Sequence, residues 1–331
     1  MSRHILFIVV VLWIAGCNNE SESSKFDDIL KQPPYSSLSD SIQKQSGNDD
    51  LYFRRAVLLN KNSFPEPALA DFQKAWALQK KEQYAFAIST ILADKKPDSA
   101  IVFLTSAIKE LPQSILLRIS LARSYEAVNK TDDALRITNE ILQRNPQQVD
   151  VLKMKAGLLG KKGNDAEALT LLEQAYSFTP YDVELNYVLA LRYAETKNPK
   201  VLSLCDSLIK KDSLHLHADP YYYKGIYYSN INDKGMAITF FNQAIKTDYY
   251  FLNAYIEKGS ILYEQKRFTE ASDVFNLVMS ISPKFADAYY WLAKCQEAMG
   301  QKEEAKLNYQ RAYGLDKSFT EAKEAAEKIV N

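Results

Sequence analysis

Apolar side chains recur along most of this chain at the i, i+3, i+4 spacing of one helical face, and the whole pattern repeats every 34 residues. Pro112, Pro146 and Pro180 follow one another at that interval, and Ala134 and Ala168 keep it between them. Each interval holds two helix-length apolar stripes separated by a short polar turn, which predicts a pair of antiparallel helices, A and B. If Ile115 is position 1, position 20 reads Ala68, Ala100, Ala134, Ala168, Ala237, Ala271 and Ala305, with Leu202 departing in the fifth copy. Position 8 reads Ala56, Ile88, Ala122, Ala156, Ala190, Gly225, Gly259 and Ala293. Two helices approach closely only where one presents a small side chain at the crossing, so these positions mark the A–B contact. Large residues fill the space beside it: Phe72, Leu104, Leu172, Phe241, Phe275 and Tyr309 at position 24, and Tyr125, Tyr193 and Tyr228 at position 11. The proline at position 32 stops helix B, because it lacks an N–H and disfavours helix in the residue before it.

A 34-residue period of paired amphipathic helices, with small residues at the crossing and a closing proline, resembles the tetratricopeptide repeat. The resemblance covers residues 49 to 319 and implies an all-α fold, a right-handed solenoid of about eight helical hairpins. The expected repeats are 49–80, 81–114, 115–148, 149–182, 183–217, 218–251, 252–285 and 286–319. Two break register. The first is two residues short near Lys80 and Lys81, and the fifth carries one extra residue between Ala190 and Gly225. The fifth also has Asn198-Pro199 in its inner turn, Leu202 in place of alanine and Asp206 where an apolar residue is expected, so it is the expected weak point of the array.

Residues 1–16 read as a signal peptide: a basic start at Arg3, an apolar run from Ile5 to Ala15, and small residues before Cys17. The run is too short for the roughly 20 residues that span a bilayer as a helix. Ile14-Ala15-Gly16-Cys17 resembles the lipobox of bacterial lipoproteins, which implies that Cys17 is diacylated on sulfur (palmitate-type chains), becomes the mature N-terminus and is then N-acylated. Two or three acyl chains, at about 0.8 kcal/mol per buried CH₂, anchor a protein stably without a spanning segment. Asn18, where aspartate resembles an inner-membrane retention signal, points to a cell-envelope location at the outer membrane. Residues 17–33 are expected to be a flexible tether, 34–48 a helix covering the first repeat, and 320–331 a C-terminal capping helix of the kind solenoids need for solubility.

Composition narrows the function classes. Lys+Arg and Asp+Glu both number 41; residues 1–16 contain only Arg3 of these, so the remainder carries a net charge of −1. With no basic stripe to neutralise phosphates, nucleic acid is not an expected partner. Cys205 and Cys295 lie three repeats apart, beyond the roughly 6 Å Cα separation of a disulfide, and read as packing residues. His215 and His217, flanked by Asp212 and Asp219, lack the further ligands a metal site needs, so neither metal nor cofactor is expected. No phosphate loop, paired-cysteine motif, zincin motif or nucleophile elbow is present, so no enzyme is expected. Asp132-Asp133 and Glu303-Glu304 stand at helix B starts, where acids favour the positive end of the helix dipole.

The repeat resemblance implies a concave groove lined by positions 2, 5, 9, 12 and 13 of the A helices. It does not extend to the clamp by which some members hold acidic peptide C-termini: at position 5 Lys153 is the one lysine, with no asparagine at position 9. Seventeen of the 21 tyrosines fall between Tyr176 and Tyr313, so the ligand is expected in the C-terminal half. The predicted contact stripe is Tyr187, Tyr222, Ile226, Ile256, Tyr263 and Tyr290, edged by Asp219, Asp287, Glu297 and Glu184. The acidic edge suits a basic or neutral segment, and the bland alternative is that these tyrosines pack between helices. The expected function is a membrane-anchored scaffold binding a protein or peptide; the alternative is a cell-wall or surface-glycan binder using the same aromatic and acidic groove.

Overall fold

The computed structural model describes residues 26–214 and 216–329, which form nineteen helices and no strand. The expected signal peptide, Cys17 and His215 therefore lie outside the described residues. The chain divides into two compact units after Ile141. In the first unit, α1 (Asp27–Leu30) and α2 (Ser36–Lys44) precede the hairpins α3 (Asp49–Lys61)/α4 (Pro65–Leu78) and α5 (Glu82–Lys95)/α6 (Pro97–Glu110), then α7 (Ile115–Ala127). The boundary falls within α8 (Thr131–Arg144). The second unit stacks α9 (Val149–Lys161)/α10 (Asp165–Phe178), α11 (Val183–Glu195)/α12 (Lys200–Lys211), α13 (Asp219–Asn230)/α14 (Lys234–Thr247), α15 (Leu252–Glu264)/α16 (Phe268–Ile281) and α17 (Ala286–Ala298)/α18 (Lys302–Leu315), and ends with α19 (Thr320–Lys328) against α18. The all-α fold of stacked hairpins is the one the period implied.

Seven of the eight hairpin turns are built alike, the exception being α5/α6, where Lys96 alone joins the helices. Position 15 takes the left-handed conformation at Ser63, Asn129, Gly163, Lys197, Asn232, Lys266 and Gly300. The next N–H then reaches back five residues in the helix-ending motif, as in Asn164 N to Leu159 O at 2.9 Å and Asp233 N to Tyr228 O at 2.8 Å. Second-helix starts are fixed by the N–H of position 20 bonding the carbonyl four residues back, as Ala168 N does to Asn164 O and Ala237 N to Asp233 O. Positions 20, 24 and 27 then face inward together: Ala237, Phe241 and Ala244 are fully buried, as are Ala271, Phe275 and Val278.

The fifth hairpin differs from its expected register. Val201 N bonds the carbonyl of Asn198, three residues back rather than four, at 3.2 Å. That tighter first turn at Pro199 advances α12 by one residue. Val201, Cys205 and Leu208 therefore fill the inward positions, not Leu202 and Asp206. Asp206 points outward and pairs with Lys224 Nζ at 2.7 Å, so it is no misplaced core residue. The surplus length sits in the linker 212–218, longer than the four-residue connection between α10 and α11.

The expected tether is also shorter than 17–33, because Ile29 and Leu30 pack on the first hairpin's core and Leu30 O accepts from Ser39 Oγ at 2.8 Å. Arg55 and Asp71, both buried, form a two-pronged ion pair at 2.6 and 2.7 Å, and Arg55 also donates to Ser39 Oγ of α2 at 2.8 Å. The N-terminal helix is thus tied to α3 and α4 by charge as well as by Tyr35 and Ile42, which are buried.

Candidate functional site

The predicted contact residues stand on the first helices of successive hairpins in the second unit, with position 5 as their common theme. Tyr222 on α13 lies 5.8 Å from Phe241 of its own hairpin and 5.2 Å from Phe251, the residue that leads into α15. Tyr290 on α17 repeats this geometry against Tyr309 (5.8 Å) and Phe319 (5.3 Å). In the first unit Phe53 sits likewise on Phe72 (5.5 Å) and Tyr84 (4.9 Å). Position 5 is therefore a wedge between one hairpin and the next, each ring pair adding roughly 0.5–1.5 kcal/mol beyond area burial. Burial pushes the Tyr222 hydroxyl up from its ordinary pKa, with Glu257 and Glu195 acting in the same direction. Tyr290 is likewise pushed up by burial and by Glu321, whose Oε2 it faces at 3.4 Å.

Ile226 and Ile256 are partly buried against the cores of their hairpins. The aromatic side chains form two runs rather than the single stripe expected. One is Tyr187–Tyr223–Tyr222, with ring centroids 6.4 and 6.0 Å apart. The other is Tyr263–Trp291–Tyr290, at 5.8 and 6.0 Å, and here three rings surround one ammonium. Lys294 Nζ lies 5.3 Å from Tyr263, 5.6 Å from Tyr290 and 4.5 Å from Trp291. A cation over an aromatic face gains about 0.5–1 kcal/mol per exposed contact, so this lysine is held in place.

The expected acidic edge is largely spent within the protein. Glu297 accepts from the Tyr309 hydroxyl at 2.8 Å, and Glu184 pairs with Lys153 at 2.6 Å. Asp219 and Asp287 stand in the first turns of α13 and α17, where their charge meets the positive end of the helix; burial pushes the Asp287 carboxyl up. The preference for a basic segment thus loses two of its four supports.

A second face lies outside the tyrosine-rich half of the chain. In the first unit a cleft of about 510 Å³ runs between α3, α5 and the start of α7, lined by Phe53, Val57, Phe86, Ile91 and Leu116. Val57, Phe86 and Leu116 are 46, 39 and 37% exposed. Val57 and Leu116 hold positions 9 and 2, so the signal was available, but counting tyrosines hid aliphatic residues at groove positions. Elsewhere, the N–H and ring of His217 both engage Asp212, at 2.9 and 3.2 Å, and no group of three metal-ligating side chains occurs among the described residues. Cys205 and Cys295 are buried thiols, pushed up by burial to about 12 and about 11, which suits packing and not nucleophilic chemistry. No described helix is long and apolar enough to cross a membrane.

Comparison with known proteins follows the same lines. The family profile described as "Tetratricopeptide repeat" matches residues 92–158 and 237–312, and a second profile of that description matches 218–249. No curated protein matches the chain. Among solved structures, a tetratricopeptide repeat protein from Parabacteroides merdae ATCC 43184 is similar at 19% identity and TM-score 0.63, over 75% of this chain and 98% of that one. PilW, a type IV pilus biogenesis factor, is similar at 16% identity and TM-score 0.52, over 64% of this chain and 97% of that one. The Cut9–Hcn1 hetero-tetramer of the APC/C is similar at 15% identity and TM-score 0.51, over 95% of this chain and 60% of that one. At these identities the likeness is one of fold.

Proposed function

Because the chain is a tetratricopeptide repeat protein, we propose that it is a non-catalytic scaffold that holds another protein on the exposed face of its first helices and is tied to a membrane by lipid on Cys17. The fold is one suited to protein–protein interaction. The observation that carries the reading is the cleft of Val57, Phe86 and Leu116, because clustered apolar side chains left in water mark an interaction surface and are stabilised by a partner that covers them. A second contact face in the other unit comprises Tyr187, Tyr222, Ile226, Ile256, Tyr263 and Tyr290 with Asp219, Asp287 and Glu297, and there the half-buried rings around Lys294 offer rigid aromatic area. The lipobox-like Ile14-Ala15-Gly16-Cys17 supports the anchor, and Asn18 supports an outer-membrane position.

Photo-cross-linking groups at Phe86 and Tyr290, activated in native membranes, test the scaffold. A stoichiometric protein adduct that disappears when the cross-linker at Tyr290, or one moved from Phe86 to Leu116, is combined with Val57→Glu/Phe86→Glu, with helicity unchanged, is the expected result. Capture unaffected by the double variant, or retention on purified cell-wall polysaccharide in place of a protein, overturns it. Cys17→Ala should abolish metabolic fatty-acid labelling, and label retained on the variant refutes the anchor.

A further inference from the structure

Two hairpins place a tyrosine at position 4 with the same hydrogen bond, and the fifth has asparagine there. Tyr52 donates its hydroxyl to the carbonyl of Ser46 at 3.2 Å, and Tyr289 does so to Pro283 O at 2.9 Å, each spanning six residues back along the chain. Asn186 stands at the same position in the fifth hairpin. Its Nδ2 donates to Pro180 O at 3.2 Å, again six residues back. The short amide thus reproduces the tyrosine's hydrogen bond without supplying the ring. The space is left as a cleft of about 210 Å³ between α10, α11 and α12, with Asn186, Leu189, Tyr193, Ser207, Leu208 and Lys211 among its walls. An engineered apolar cavity of roughly 150 Å³ accepts benzene, so this one has room for a ring. The two serines of α12 that face it, Ser203 and Ser207, are too small to fill it.

The chemistry of the walls selects the occupant. Asn186 is 3% exposed and its Oδ1 has no hydrogen-bond partner. Because Nδ2 is committed to Pro180, the orphan atom is an acceptor, and a buried acceptor left unmade costs about 1–3 kcal/mol. What enters must bring an N–H or O–H donor at its inner end. Leu189 and Leu208 are buried and apolar, and suit a flat hydrocarbon surface. At the rim, Lys200 is already bound to Glu173 at 2.7 Å, and Glu173 also accepts from Tyr193 at 2.8 Å. Lys211 differs: its ammonium lies over the Tyr181 ring at 5.6 Å, where an anionic group can reach it.

We propose that this cleft binds a planar ring that carries a hydrogen-bond donor and, outside it, a carboxylate. The donor meets Asn186 Oδ1, the ring takes the place of the tyrosine found at this position in other hairpins, and the carboxylate pairs with Lys211. A free aromatic amino acid and the C-terminal tyrosine or tryptophan of a peptide share this chemistry. The site uses Asn186, Leu189 and Tyr193 of α11 and does not include Tyr187.

Calorimetric titration of the full chain with N-acetyl-L-tyrosine and with a pentapeptide ending in tyrosine tests it. Saturable binding is expected. Asn186→Tyr, which places a ring in the cleft, should weaken it at least tenfold while raising the melting temperature. Lys211→Ala, at an exposed position, should weaken both probes at least threefold but leave N-acetyl-L-tyrosine amide unchanged. A pentapeptide at least tenfold tighter than the amino acid identifies a chain terminus as the ligand, and equal affinity identifies the free amino acid. Failure of both probes to saturate, or an affinity that neither variant alters, overturns the assignment.

Discussion

A Cβ placed on Gly225 would lie 2.5 Å from Cε1 of Phe241, and one on Gly259 would lie at the same distance from Phe275. In these two hairpins positions 8 and 24 therefore go together: the phenyl ring at the crossing is admitted by the missing methyl opposite it. Both glycines sit inside helices, where glycine costs about 1 kcal/mol relative to alanine, and the buried ring offsets that cost.

Gly225→Ala should accordingly destabilise the second unit by roughly 1–3 kcal/mol through overpacking, despite its better helix propensity. Adding Phe241→Leu should recover much of the loss. Denaturant midpoints of the four proteins in a double-mutant cycle check this, and additive effects would sink the idea.

Breaking the buried pair at Arg55 should be costly in a way that replacing it is not. Asp71→Ala leaves a buried guanidinium without its carboxylate and should cost roughly 3–5 kcal/mol, whereas Arg55→Met/Asp71→Leu should be far milder. Thermal melts of the two variants, with proteolysis near α2 as a second readout, decide it. Equal losses would show that the pair is worth its full Coulombic energy.

The register of α12 makes a ranking prediction. Val201 is fully buried, so Val201→Ala should cost roughly 2 kcal/mol, and Leu202→Ala less than half as much. Hydrogen exchange should be fastest in the 212–218 linker and the adjoining end of α12, where the connection is longest. A larger loss at Leu202 than at Val201 would restore the alignment the repeat period alone suggests.

Glu173 gives a pH dependence with a definite sign. Lys200 first, and then the Tyr193 hydroxyl, hold its carboxyl below the ordinary glutamate value of about 4.3. A carboxyl lowered in the folded state contributes stability that is fully present above its unfolded pKa and is lost as pH falls through the folded one. Wild type should therefore exceed Glu173→Gln in melting temperature near neutrality, with the gap closing only below about pH 4. A gap that stays constant down to acid pH contradicts this.

Tyr222→Ala should behave as a core truncation, losing roughly 3–5 kcal/mol, because its ring wedges between Phe241 and Phe251. Trp291→Ala should cost less stability and more partner capture, since that ring holds Lys294 at the surface. Stability and capture per folded molecule, measured on both variants, separate wedge from contact; identical profiles would refute the distinction.

By itself the sequence determined the fold class, because a 34-residue recurrence of small crossing residues, large neighbours and closing prolines can bury its apolar faces only as stacked hairpins. It also determined that Ala or Gly stands opposite position 24 in every hairpin but the second, where Ile88 does. What it left open depended on partners that periodicity does not specify. A helical period fixes the direction in which Tyr222 leaves its own axis, but not that Phe251 from the following connection arrives to cover it. The same holds for charge: Glu297 and Glu184 read as a free acidic edge until Tyr309 and Lys153 are seen beside them. At Pro199 a single tighter turn rotates α12 so that Val201 replaces Leu202 inside, a change of one hydrogen bond that no count of residues between prolines reveals. Tertiary structure alone decided these points, because each rests on which groups meet across helices, and that is set by packing of the whole stack and not by any one helix's pattern.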